Sequence, residues 1–278
     1  MRKLSIILVI SVLFLGLAMC NKKTKKGIVK TQENNTSTLI QMQKNGITLT
    51  ELVSVENFDN ASLELLEVAS TTEELDNNKI RLKVNTQNYT LGKQTDLANT
   101  KNCANSAQGQ HIHCIINNEP YSAQYTNDFV VDAKKDGMHT VLCFISRSYH
   151  ESIKHSKAFF IDNIITGKSR YAVRYANKDL SKPMLFYSRP KGEYKDAETD
   201  AVLLDFYLMN CDLSKDGYKV KAVINGTTFI LTKWSGYFME GLPLGKNTIE
   251  LTLLDKNNNV VESLYNSVKR EITLTKTK

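Results

Sequence analysis

Three separate stretches of this chain recur at one fixed spacing. GQHIHCIINNEPYSAQY begins at Gly109 and GYKVKAVINGTTFILTK at Gly217; DGMHTVLCFIS carries Gly137 and LGKNTIELTLLD carries Gly245; FFIDNIIT carries Ile164 and SVKREITL carries Ile272. Each pair is 108 residues apart. Ungapped blocks at one offset mean two tandem copies of a unit, and both copies must fold alike. Within a unit, apolar and polar residues alternate over short runs, the pattern of half-buried strands. The second unit predicts strands near 184–188, 202–208, 218–224, 227–233, 236–240, 246–254 and 267–274, separated by KDG, NG, SG, LG and DKNNN. Seven strands in about 95 residues predict an antiparallel sandwich. The expected fold class is therefore all-β, with two tandem immunoglobulin-like antiparallel β-sandwiches.

The N-terminus reads as an export signal. MRKLSIILVISVLFLGLAMC has a basic start and an uncharged apolar run from Leu4 to Met19, short for a membrane span. The run ends in L-A-M-C, which resembles a lipoprotein cleavage site, although Met19 departs from the small residue usual before the cysteine. A signal peptide over 1–19 and lipidation of Cys20 are expected, with the acyl chains as the membrane anchor. The polar stretch after Cys20 reads as a disordered tether over 20–37. The first sandwich with an N-terminal extension is expected over 38–168, a linker over 169–180 and the second sandwich over 181–278. KNGITLTELVS, in the extension, reads as one more strand, able to join an edge.

Net charge does not argue for a nucleic-acid partner. The formal total is +7, and residues 1–30 hold seven Lys and Arg and no acid, so residues 31–278 balance to zero. The basic excess sits beside the lipid anchor, where it suits an anionic membrane surface or a solvated linker.

The repeat also orients side chains. In YKVKAVI, Val220, Ala222 and Ile224 alternate with Lys219 and Lys221, which fixes the apolar set as the inner face. The same parity in the first unit turns Ile112, Cys114 and Ile116 inward and His111 and His113 outward. In the next block Val141, Cys143 and Ile145 face inward; His139 falls on that inner series, away from the other two histidines. Cys114 and Cys143 then share a core on neighbouring strands, as a bridge or as two thiols. The pairing of Cys103, Cys114, Cys143 and Cys211 stays open. The first unit's outer face carries His111, His113, Ile115, Leu142, Phe144, Phe159 and Ile161, too apolar to be left in water. A cover is required, and segment 46–68 or the loop 94–108 is expected to supply it, a partner or ligand being the alternative.

Five histidines lie between positions 111 and 155 and nowhere else. H-x-H on one strand face presents two imidazoles to one ion, so His111 and His113 are the candidate copper or zinc ligands of an alternative, metal-binding reading. A third ligand is missing from that reading. Recognition is placed instead in the loop of FISRSYHESIKHSKAFF, the counterpart of DKNNN in the second unit. Arg147, Ser148, Tyr149 and His150 there, with Arg189 of LFYSRPKGEY, form a candidate contact set for a phosphate or carboxylate on a peptide or glycan. Structural hydrogen bonds from both arginines are the competing reading. There is no G-x-S-x-G, H-E-x-x-H or P-loop. No catalytic residue and no cofactor are expected, and the reading is non-enzymatic.

Two resemblances accompany these readings. PLGKNTIELTLLDKNNN resembles the L-x-x-G-x-x-T-x-x-x-x-x-x-D hairpin of bacterial immunoglobulin-like domains. GQHIHCIINNEPYSAQY, SRSYHESIK, LFYSRPKGEY, LLDFYL and VINGTTFILTKW together resemble a family of poorly characterised envelope lipoproteins of Gram-negative bacteria, over nearly all of the mature chain. Some of its members carry the label phosphopeptide-binding protein. That resemblance implies an envelope location. Asn21, rather than Asp, after Cys20 resembles the sorting pattern of outer-membrane lipoproteins, and with no acidic run following Cys20 the periplasmic face is expected. It implies Arg147, Ser148 and His150 as anion contacts only loosely, since S-x-x-H spacing and a preceding G-R are both absent. A binding or scaffolding module that meets the membrane, an anionic ligand or another envelope protein is the expectation.

Overall fold

The computed structural model describes residues 28–29, 39–70, 78–167 and 178–277. The expected signal peptide, Cys20 and most of the expected tether and linker lie outside the described residues. Among the described residues no helix is long and apolar enough to cross a membrane. The strands, in chain order, are β1 (Ile28–Val29), β2 (Gln41–Lys44), β3 (Ile47–Glu51), β4 (Ser62–Ala69), β5 (Lys79–Gln87), β6 (His111–Ile116), β7 (Ser122–Gln124), β8 (Asp128–Asp132), β9 (Gly137–Ser146) and β10 (Phe159–Thr166). They continue as β11 (Met184–Arg189), β12 (Gly192–Lys195), β13 (Val202–Met209), β14 (Lys219–Ile224), β15 (Thr227–Leu231), β16 (Tyr237–Glu240), β17 (Gly245–Leu254) and β18 (Val268–Thr275).

The repeat is visible in the topology. The first unit pairs a β4-β5-β8 sheet with a β10-β9-β6-β7 sheet, and the second repeats them as β11-β13-β16 and β18-β17-β14-β15. β17 starts at Gly245 and β9 at Gly137, the spacing of the sequence repeat. The second unit adds β12, which pairs in parallel with β18.

Each sandwich has its own apolar core. Ile80, Leu82, Ile112, Cys114, Val141, Cys143 and Ile145 fill the first; Leu185, Val220, Ala222, Phe229, Leu251 and Ile272 fill the second. The inward parity read from the second unit therefore holds in the first. Cys114 lies opposite Cys143 on β6 and β9, and the four described cysteines are free thiols.

A third apolar layer joins the units. Ile115, Leu142 and Phe144 on the outer face of β6 and β9 pack against Met184, Phe186, Tyr207 and Met209 of β11 and β13. Phe144 stacks on Tyr207 with ring centroids 4.6 Å apart. Four sheets therefore lie face to face, and the two middle ones are covered on both sides. Every residue of β11 and β13 is buried, as expected of a sheet between two others. Asn118 also grips the edge strand β11 like a neighbouring strand: its Nδ2 donates to Leu185 O at 3.0 Å and its Oδ1 accepts from Tyr187 N at 2.8 Å.

This arrangement corrects two expectations. The apolar strip of the first unit is covered chiefly by the second sandwich, not by segment 46–68 or the 94–108 loop. Met184 and Phe186 at alternate positions of β11, and Tyr207 and Met209 at alternate positions of β13, supply the cover. The extension expected in the first sandwich instead joins the second: β3 pairs antiparallel with β16, and Ile47 and Leu49 enter the second core. Asn45 and Gly46, with φ of +49° and +80°, form the tight turn that brings β2 back alongside β3. Within the stretch expected to be tether, Ile28–Val29 pairs antiparallel with the edge of β2.

Candidate functional site

β6 aims His111 and His113 into the seam between the sandwiches, where neither has exposed surface. In the β6–β9 ladder His111 lies opposite Ser146, the last residue of β9. The chain leaving β9 therefore rises beside His111. It turns back at once, with His150 N donating to Arg147 O and Arg147 N donating to Glu151 O, both at 2.9 Å. His150 sits in the left-handed region at φ +70°, a conformation histidine tolerates better than most residues. That turn lays its ring over β6.

Three imidazoles converge. His111 Nε2 lies 2.9 Å from His113 Nε2 and 3.0 Å from His150 Nδ1, and one nitrogen from each ring falls within 4.8 Å of the others. The remaining nitrogens show how the rings are turned. His111 Nδ1 is 2.8 Å from Gly109 O, which can only accept, so that nitrogen carries the proton and Nε2 carries a lone pair. His113 Nδ1 is 3.1 Å from Ser188 Oγ of β11, which can accept its proton and leave Nε2 bare as well. Tyr121 stacks on His113 at 3.5 Å between centroids and reaches His150 Nδ1 with its hydroxyl at 3.2 Å. Two nitrogens thus face a single lone pair on His111, an arrangement that one N–H cannot satisfy along both directions. A cation at the centre can accept all three lone pairs.

The surroundings keep the rings neutral. Burial pulls His111 down to about 4, with the charges of Arg189 and Lys191 acting in the same direction against the bond to Gly109. His113 is lowered by burial first, then by His111, His150 and the same two cations, and His150 by burial first, then by Arg189, His111 and Lys191. Neutral imidazole is the ligating form. Lys191 Nζ lies 3.8 Å from the Tyr121 ring centroid and donates to Tyr121 O at 2.6 Å. The Arg189 guanidinium stands 5.5 Å from the same ring and donates to Tyr194 OH at 2.8 Å.

The five residues expected to contact an anion do not form one receptor. Arg147 donates to Glu56 O at 2.7 Å, pairs with Glu151 at 3.2 Å and lies over the Phe58 ring. Ser148 accepts from Thr95 N at 3.2 Å, and Tyr149 donates to Glu151 Oε2 at 3.1 Å. All are buried, and the loop is committed to the fold. Only His150 and Arg189 of that set border the histidine cluster. His139 lies apart, as its parity required, between Asn117, Lys135 O and Thr166. His155 bonds to Phe58 O at 3.0 Å.

His150 supplies the third imidazole that the sequence reading lacked. The signal was present in the repeat: if β6 and β9 are neighbours, the hairpin loop after β9 emerges at the His111 end. Tyr121 and Ser188 were not distinguishable as site residues, because one comes from the β6–β7 turn and the other from the second sandwich.

No family model and no curated protein matches the chain. Among solved structures it is similar to the fibronectin(III)-like modules of CbhA from Clostridium thermocellum, at 10% identity and TM-score 0.27, over 72% of this chain and 87% of that one. It is also similar to the extracellular domain of BT4673 from B. thetaiotaomicron, at 15% identity and TM-score 0.23, over 90% of this chain and 31% of that one. Likeness at this level is shared by sandwiches of unrelated chemistry.

Proposed function

We propose that this chain is a lipid-anchored, non-enzymatic binding module of the bacterial cell envelope, and that its ligand is a transition-metal ion, copper or zinc. The ion is held by His111 Nε2, His113 Nε2 and His150 Nδ1. The observation that carries this reading is the convergence of these three nitrogens around one lone pair. Acceptors behind the ring of His111 and of His113 support it, since ligating histidines donate their other N–H to an oriented acceptor. Cys20 would fix the module to the membrane. The expected anion contacts give way to this reading because Arg147, Ser148 and Tyr149 are bonded within the fold.

The test is metal content. The full chain, stripped with a chelator and dialysed against copper or zinc, retains one equivalent per chain. His150→Asn keeps a residue that accepts the left-handed backbone but removes the ligating nitrogen. It retains its fold by circular dichroism and loses the bound metal. Equal metal retention by the parent chain and this variant would falsify the reading.

A further inference from the structure

The cluster is unusual in its charge. The grouping of ligand-type side chains holds three histidines and no carboxylate or thiolate. Its three donors bring no negative charge to a cation, whereas zinc and divalent copper sites commonly gain it from Asp, Glu or Cys. Around it the charge is positive. Lys191 stands 3.8 Å from the ring of Tyr121, Arg189 stands 5.5 Å from it, and that ring is stacked on His113. Their repulsion of a bound ion scales with the ion's charge. The cost of burying the ion scales with the square of its charge, and His111 and His113 are wholly enclosed.

Both terms select against a divalent ion. Coordination number acts the same way: three imidazoles satisfy monovalent copper, a closed-shell ion stable with three nitrogen donors, while zinc requires a fourth ligand. In three-histidine zinc sites that ligand is a water, and His111 and His113 present no exposed surface through which to admit one.

We infer that the ion this site selects is monovalent copper. The inference rests on the metal reading above and specifies its occupant. Lys191 and Arg189 act as positioning charges: they touch no ligand nitrogen and set which oxidation state is held.

Three measurements on the full chain decide it. Under anaerobic conditions the stripped protein takes one equivalent of copper(I) from bicinchoninate, and excess zinc does not displace it. The one-electron couple of the bound copper lies above that of copper with free imidazole in water. In Lys191→Met, or Lys191→Gln if the first variant is unstable, zinc affinity rises by about the square of the factor by which copper(I) affinity rises, because the ion's charge doubles. A merely structural role for Lys191 would change both affinities by one factor. Zinc displacing copper(I), a couple at or below that of free copper-imidazole, or equal factors in the Lys191 variants overturns the inference and leaves the metal reading intact. Failure to bind either ion overturns both.

Discussion

Lys154 Nζ lies 2.6 Å from Asp205 Oδ1, bridging the loop after β9 in the first sandwich to β13 in the second. Asp205 has no exposed side-chain surface and Lys154 has 12%. Ser152 Oγ adds a bond to the same carboxylate oxygen at 3.0 Å. The loop that looked like a recognition loop is thus a clamp between units, which explains its charge when its counterpart, DKNNN, faces solvent.

Removing one partner of such a pair leaves a buried charge without compensation. Lys154→Met should destabilise the chain by about 3–5 kcal/mol at pH 7. Burial raises the Asp205 pKa, Lys154 lowers it and Glu151 adds to the rise. A carboxyl whose folded pKa is raised favours the native state below its unfolded pKa, and that contribution is lost as pH climbs through the folded value. Without Lys154 the folded value moves higher still. The deficit of Lys154→Met should therefore shrink on acidification, as Asp205 takes up a proton. Urea unfolding of both proteins at neutral and acidic pH measures it; a deficit independent of pH would contradict the assignment. The double variant with Asp205→Asn should recover most of the loss.

The seam should also show in apolar substitutions. Leu142 is wholly buried between the sandwiches, whereas its repeat counterpart Glu250 is half-buried on the outer sheet. Leu142→Ala should cost about 2–5 kcal/mol through a cavity at the seam. Glu250→Ala should stay within about 0.5 kcal/mol. Similar losses at the two positions would mean that the sandwiches do not bury this layer in solution.

Most of this fold was legible because the repeat reports parity twice. The lysines of β14 mark which face of β6 turns outward, and the apolar residues on that face announce that something covers it. What covers it was not legible: periodicity says which residues of β11 and β13 alternate, but both faces of those strands are apolar and neither names its partner. The site was half legible for a related reason. His111 and His113 share a strand and are read together, while His150 arrives through a turn whose left-handed residue leaves no periodic mark. Ser188 and Tyr121 come from elements whose approach depends on the docking of the two units.

His139 provides a control for the proposed metal site. It is held by Asn117 at 2.9 Å, Lys135 O at 3.0 Å and Thr166 at 3.1 Å, on the inner series of β9. His139→Gln should lower stability modestly, by about 1 kcal/mol for the altered hydrogen bonds, and leave the bound metal unchanged. Loss of metal in this variant, with the fold intact, would move the ligand set away from His150.

Ser188 offers the sharpest test of how the ring of His113 is held. Its hydroxyl, supplied by the second sandwich, is 3.1 Å from His113 Nδ1 in the first. On the metal reading it accepts that N–H, which fixes the tautomer and aims Nε2 at the cluster. Ser188→Ala leaves every ligand in place and removes only this acceptor. Losses at such outer positions run to about 10–100-fold in metal affinity. The variant should therefore bind one equivalent of metal with affinity reduced in that range, measured by chelator competition, with little change in unfolding midpoint. Ser188→Thr, which keeps a hydroxyl, should restore much of the affinity. An unchanged affinity in Ser188→Ala would show that docking of the second sandwich does not orient the site, and that β6 and the His150 turn suffice to build it.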